Sequence, residues 1–491
     1  MAGRTKNDGA ISRRDALVGL GAAISSVAVG CGSESGTAPD VGPGGVGGAG
    51  GAGGGAGGQG GAGGTDPGLS CTDHGGLSPE ELLASIDTFV ILCMENRSFD
   101  HYLGSLRMLE GRDVLGLDGN ETNPAPDGSL VKVWNLQDFT PEDPPHGWEE
   151  AHGQWNGGKN DGFVLAHAGP SQSDVMGYHV RGQIPITYAL ADAYAVCDRW
   201  FSSVMGPTWP NRFYLMGGTS KGQKGNVPVT GFTSILSVLD DIGVSNRNYY
   251  HDVAWCTGAH FKFSGLAKIE QFFADAKAGV LPRVSVIDPQ FFGAGANDDH
   301  PDHDVQLGQA LIASVYAALA NSPQWGRSML IVTYDENGGF YDHVSPPTTE
   351  DDNIDFRQLG FRVPSIVAGP FARKGCAVST QFEHVSVIRT LCRRWGLSPM
   401  NERIAAANDL SSCIQPEYLS APQSPIALPT VKVSMSALRA RKERGMTHPE
   451  MREMLRSGLV PRHLDRRAEG PEITKRVLEA GQKLGAVRIV D

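Results

Sequence analysis

The chain has 491 residues, 40% of them hydrophobic and 20% charged, which is enough apolar material for one large domain or two to three ordinary ones. Its formal charge of −12 excludes a general nucleic-acid binder, although the charge is uneven. From Lys432 onward 14 Lys and Arg face 8 Asp and Glu, so this end carries about +6 and the remainder about −18.

In chain order, the first feature is an export signal over residues 1–31. Arg4 and Lys6 precede Ser12-Arg13-Arg14-Asp15, and a weakly apolar stretch of about 15 residues follows, too short for a membrane span of roughly 20. The pattern resembles a twin-arginine signal. Val27-Ala28-Val29-Gly30-Cys31 resembles a lipoprotein processing box, so Cys31 is the expected lipidation site, with plain cleavage nearby as the alternative. The expected localisation is the periplasm, a membrane anchor through Cys31, or the cell surface. Seven further cysteines follow, and an oxidising compartment would let some of them pair. Cys93 and Cys197 lie in apolar stretches and are expected to be small buried hydrophobes.

Residues 32–72 form a linker. Its stretch 42–64 holds 16 glycines in 23 positions and cannot offset its own ordering entropy. Order is expected from Ser78-Pro79-Glu80-Glu81, a capping-box helix start. Strands are expected at Thr88–Met94, Val284–Ile287, Met329–Tyr334 and Pro364–Ala368, and helices at Asp304–Ala320 and Phe382–Trp395. This alternation predicts an α/β fold with a mainly parallel sheet over residues 78–430, in which ligands gather at strand carboxyl ends. Residues 431–491 form a basic helical extension interrupted by Gly445, Gly458 and Gly470. It is read as a solvated appendage packed on the domain, with attraction to anionic headgroups as the sharper alternative.

Two strands end in polar pairs, Glu95-Asn96 and Asp335-Glu336. If the strands are parallel neighbours, the pairs converge into an oxygen-rich cluster suited to one divalent metal ion, which would relieve the like-charge repulsion. Alone, each pair could equally be a helix N-terminus. Thr208, between Gly206-Pro207 and Trp209-Pro210, is expected at a helix start, either as a simple cap or with its hydroxyl aimed at an anion. His146, His152, His300, His303 and His343 stand in polar loops that helix or strand periodicity does not explain.

The motifs "ENRSFDH", "TWPNR", "HPDHDVQLG" and "DENGGFYDHV", in this order, resemble the bacterial phosphoesterase family that includes phospholipases C, plant non-specific phospholipase C and an acid phosphatase. The resemblance runs from about Ile86 to Leu397 and implies an alkaline-phosphatase-like α/β fold. It implies that Glu95, Asn96, Asp335 and Glu336 bind the metal with Thr208, that Thr208 is also the nucleophile, and that His146, His300 and His343 contact phosphoryl oxygens or move protons. Arg97, Asp100, His101, Asn211 and Arg212 are expected to orient those groups. The leading expectation is a phospholipase C that cuts the glycerol side of a phospholipid phosphodiester through a phosphothreonine. The alternatives are a phosphomonoesterase of the acid phosphatase type and a non-enzymatic surface lipoprotein on the same scaffold.

Overall fold

The apolar run Thr88–Met94 (β1) is buried at every position, as a strand covered on both faces must be. In the computed structural model, which describes residues 71, 74–441 and 447–491, β1 lies at the centre of a seven-stranded sheet. The other strands are Ala195–Val196 (β2), Asn246–Tyr250 (β3), Leu266–Lys268 (β4), Val284–Asp288 (β5), Ser328–Tyr334 (β6) and Ile366–Ala368 (β7). Their spatial order is β2-β7-β6-β1-β5-β3-β4. The strands from β6 through β4 run parallel, whereas β7 pairs antiparallel with both β6 and the edge strand β2. The expected α/β architecture with a mainly parallel sheet is therefore the one found. The export signal, Cys31 and the Gly/Ala tract lie outside the described residues.

Local chemistry explains where the elements begin. Ser78 caps the helix Pro79–Leu83, and the Glu81 side chain reaches back to the Ser78 amide, closing the capping box. Asp304 accepts from the Gln306 amide at the start of the long helix Val305–Ala320, which packs against the sheet. Two expected boundaries move by more than one residue. The strand expected from Pro364 begins at Ile366, because Pro364 has no N–H to give a ladder. The helix expected from Phe382 begins at Val385, because Phe382–Glu383 pairs instead with Trp200–Phe201.

The basic extension shares the main core. Val431–Ser434 and Val487–Val490 pair in parallel, and Val431, Val433, Ile473, Val477 and Leu478 join the same buried cluster as β1. Gly470 opens the helix Gly470–Lys483 rather than interrupting one. Several of the arginines are paired: Arg466 with Glu270 at 2.8 Å, and Arg441 with Asp304. Cys71 and Cys376 form a disulfide, and the Cys93 and Cys197 thiols are buried. Among the described residues, no helix is long and apolar enough to cross a membrane.

Candidate active site

Register assembles the site. Met94 on β1 faces Tyr334 on β6, so the residues that follow, Glu95-Asn96 and Asp335-Glu336, leave the sheet side by side. The Asp335 amide donates to the Met94 carbonyl at 3.1 Å, and the Asn96 amide donates to Asp335 Oδ1 at 3.0 Å. Asn96 adopts φ 63°, a left-handed conformation that asparagine tolerates better than most side chains. Gly338, at φ 63°, passes so close that a Cβ there would sit 2.1 Å from the Asn96 carbonyl oxygen. Only glycine fits that crossing.

All four strand-end residues are buried. Burial carries the Glu95 and Asp335 carboxyls above their usual range and pushes Glu336 up to about 8. Arg212 supplies part of the compensation, with its guanidinium 2.8 Å from Glu95 Oε1 and 3.4 Å from Asp335 Oδ2. Three carboxylate oxygens, Glu95 Oε2, Asp335 Oδ2 and Glu336 Oε1, are buried without a hydrogen-bond donor. Buried carboxylate oxygens without donors, at the ends of two adjoining strands, are the kind of group that a divalent cation satisfies, and ligand atoms of Glu95, His300 and His448 lie within 4.8 Å of one another.

Thr208 is the first residue of the helix Thr208–Gly217, with Pro207 in the cap position and no side-chain capping bond. The hydroxyl is thus not spent on a cap. It donates to Asn96 Oδ1 at 3.4 Å, which places it at the edge of the oxygen cluster. Asn211 fixes the preceding turn by donating to the carbonyls of Val204, Gly206 and Pro207. A polar well of about 160 Å³ is lined by Thr208, His146, His300 and Asn226 together with Asp143 and His448. It adjoins a wider cleft of about 670 Å³ with Pro144, Pro145, Trp148 and Pro207 in its walls.

The histidines divide. His146 Nε2 lies 3.3 Å from the Asn96 side-chain Nδ2 and 3.6 Å from Glu336 Oε1. The His300 ring stands 6.1 Å from that of His146, and burial holds its pKa well below the ordinary value. His343 belongs to a different group: its Nδ1 is 2.6 Å from Asp100 Oδ2, and Arg362 binds both Asp100 and Asp342. It is not among the residues lining the well. His152 sits on the helix Trp148–Trp155, with Nδ1 2.7 Å from the Trp148 carbonyl, so helix geometry does account for it.

The remaining expected residues brace the turn after β1. Arg97 donates to the Asp299 carbonyl at 2.8 Å and lies over the Phe340 ring, on which His101 also stacks. Sequence reasoning missed three groups, Asp143, Asp298 and His448. Asp143 lines the well, and Asp298 lies between His303 Nδ1 at 2.6 Å and His448 Nε2 at 3.0 Å. His448 also reaches within 3.5 Å of Glu95 Oε2. Asp298 and His303 were signalled by the acid-rich "NDDHPDHD" run, whereas His448 has no local motif.

A parallel sheet ending in a carboxylate cluster beside a helix-borne hydroxyl is the setting for phosphoester chemistry. Residues 86–398 match the model of the Phosphoesterase family, and the chain belongs to it. The protein is accordingly a hydrolase acting on phosphoester bonds.

Among curated relatives, it is 34% identical to "Non-specific phospholipase C6" of Arabidopsis thaliana, over 70% of this chain and 75% of that one. It is 32% identical to "Phospholipase C A" of Mycobacterium tuberculosis strain H37Rv, over 65% of this chain and 74% of that one. Among solved structures, it is similar to a protein of the alkaline phosphatase superfamily from Vibrio parahaemolyticus, with a TM-score of 0.35 and 12% identity, over 66% of this chain and 70% of that one.

Proposed function

We propose that this protein is a metal-dependent phospholipase C, which hydrolyses the glycerol-side phosphodiester of phospholipids with Thr208 as nucleophile. The observation that carries the reading is the Thr208 hydroxyl bonded to Asn96 Oδ1, on the turn that adjoins the buried, donor-free carboxylate oxygens of Glu95, Asp335 and Glu336. Glu95, Asn96, Asp335, Glu336 and Thr208 would hold one divalent ion, which supplies Lewis acidity and lowers the pKa of the threonine hydroxyl when bound.

In that reaction Thr208 Oγ1 forms a bond to phosphorus, the bond from phosphorus to the glycerol oxygen breaks, and diacylglycerol leaves. Water then cleaves the phosphothreonine and restores the hydroxyl. His146, in the wall of the well and with its pKa raised to about 9, donates a hydrogen bond to a phosphoryl oxygen and protonates the leaving alkoxide, while His300, held in its neutral form by burial, accepts the Thr208 proton. Arg212 and Asn211 hold the geometry and touch no substrate. His343, outside the well, acts through the Asp100–Arg362–Asp342 cluster that fixes the turn after β1. The shape of the site also supports a diester: the polar well accepts a phosphate, and the wider cleft beside it leaves room for a second ester substituent.

We propose further that the chain is exported by the twin-arginine route and anchored through Cys31. The Cys71–Cys376 disulfide supports an oxidising compartment. Comparing a chromogenic phosphodiester with the matching monoester tests the substrate class. Diester turnover at least tenfold above monoester is expected, and the reverse preference assigns an acid phosphatase-type phosphomonoesterase. Membrane fractionation of Cys31→Ala, with the protein expected to move to the soluble fraction, tests the anchor.

A further inference from the structure

His448 lies beyond residues 86–398, the stretch that the family model matches, yet it stands in the wall of the well that contains Thr208. We propose that the C-terminal segment is a working part of the active site. It delivers His448 as the positioning residue that ties Glu95 to Asp298 and so sets the grip of the carboxylate cluster on its cation. The proposal rests on the metal-dependent reading above.

The geometry is a closed triangle. The Glu95 amide donates to the Asp298 carbonyl at 2.8 Å, the Asp298 carboxylate takes His448 Nε2 at 3.0 Å, and His448 Nδ1 faces Glu95 Oε2 at 3.5 Å. Arg212 holds the other Glu95 oxygen, and Oε2 has no hydrogen-bond donor, so His448 is the group that confronts this orphaned atom. Its imidazole is almost fully buried, with its side chain 7% exposed, and its ring centre lies 4.6 Å from that of His300. Phe291 and Phe292 meet it edge-on at 5.4 and 5.7 Å. His448 itself sits at φ 51°, immediately before Pro449, which opens the helix Pro449–Arg456. A left-handed, non-glycine residue costs free energy and persists where the surroundings impose it.

The surroundings are built to hold the segment down. Met451 and Met454 enter a buried cluster with Trp255 and Phe291, and Met454 packs so closely on Gly258 that a Cβ there would sit 2.4 Å from its sulfur. The Arg466 amide donates to the Asp252 carbonyl at 2.8 Å, and its guanidinium donates to the His251 carbonyl. The carboxylate of that same Asp252 accepts the amides of Phe291 and Phe292, the two rings that flank His448. The anchor of the segment and the walls around the imidazole thus share one residue. A histidine that merely fills a core needs no aspartate on one nitrogen and a candidate metal ligand opposite the other.

The test uses the full-length protein. Ca²⁺, Mn²⁺ and Zn²⁺ are each titrated alone by calorimetry into wild type, His448→Ala, His448→Gln, Met454→Ala and, as a control, Arg456→Ala, which is exposed and pairs with Glu453 along its own helix. For the ion that wild type binds, His448→Ala is expected to raise Kd about 10–100-fold. His448→Gln, whose amide still donates to Asp298, recovers part of that loss, and Arg456→Ala matches wild type. Met454→Ala touches no site residue but loosens the segment, so it moves Kd in the same direction and decides the matter if His448→Ala fails to fold. His448→Ala with wild-type Kd and kcat/KM, at a lowered Tm, overturns the proposal and leaves a structural histidine. Wild type that binds no ion overturns the metal-dependent reading, and this inference with it.

Discussion

Asn96 donates its backbone N–H to Asp335 Oδ1 at 3.0 Å, across the carboxyl ends of two neighbouring parallel strands. That one bond joins the two halves of the oxygen cluster, because each residue is followed or preceded by another candidate ligand. The cluster then carries three buried carboxylates with a single guanidinium, Arg212, lodged against two of them. Such an arrangement is electrostatically costly unless a cation shares it.

The first prediction is therefore an inversion. With chelator present, Glu336→Gln unfolds at the same or higher urea concentration than wild type, because it removes a buried carboxyl that burial makes costly to ionise and whose Oε1 has no donor. With divalent ion restored, the order reverses and wild type is the more stable, by the linkage of binding to folding. Urea titrations with and without chelator check both halves, and metal analysis of the purified variant is expected to show loss of the ion.

Removing the proposed nucleophile is expected to abolish turnover without loosening the fold. Thr208→Ala should lower kcat by about 10⁴-fold or more, while its thermal midpoint stays near that of wild type. Thr208→Ser, which keeps the hydroxyl, should retain measurable activity. Steady-state hydrolysis of a chromogenic diester reads the difference.

Arg362 is fully buried and binds Asp100 at 3.0 Å and Asp342 at 2.8 Å. Arg362→Ala leaves two buried carboxylates without their cation, an effect worth about 3–5 kcal/mol. The urea midpoint falls accordingly. Activity is expected to fall too, since Asp100 holds His343 and lies in the helix Phe99–Leu103 that follows the turn of Glu95 and Asn96.

Asp299 gives a pH signature. Burial pushes its carboxyl up to about 7, with both Tyr102 and Tyr334 donating to Oδ2. The folded protein holds this proton where the unfolded chain has released it. The contribution is thus fully present below the unfolded value near 4, is lost as pH rises toward 7, and is flat above that. Asp299→Asn should lack this decline, which is roughly 2–4 kcal/mol in wild type. Unfolding free energies measured from pH 4 to 8 test it.

Much of this was legible in the sequence. Thr88–Met94 announced itself by seven consecutive residues without a charge, and the strand carries those bounds in the structure. The polar pairs after β1 and β6 could be expected to meet because parallel strands share a carboxyl edge. What stayed hidden depends on long-range packing. No local pattern says that His448, on a segment whose arginines look like a solvated surface, folds back against Glu95. Likewise His343 sits in a motif beside Asp335 and Glu336, yet the buried Asp100–Arg362 pair draws its ring away from the well. Sequence adjacency placed it correctly on the loop and could not place its side chain.

The most direct measurement is diacylglycerol release from phosphatidylcholine vesicles by purified protein, before chelation, after chelation, and after a divalent ion is added back. The account predicts release of diacylglycerol with a water-soluble phosphoryl headgroup, loss of release with chelator, and recovery with the ion. Undiminished release by a protein shown to be free of metal would contradict it.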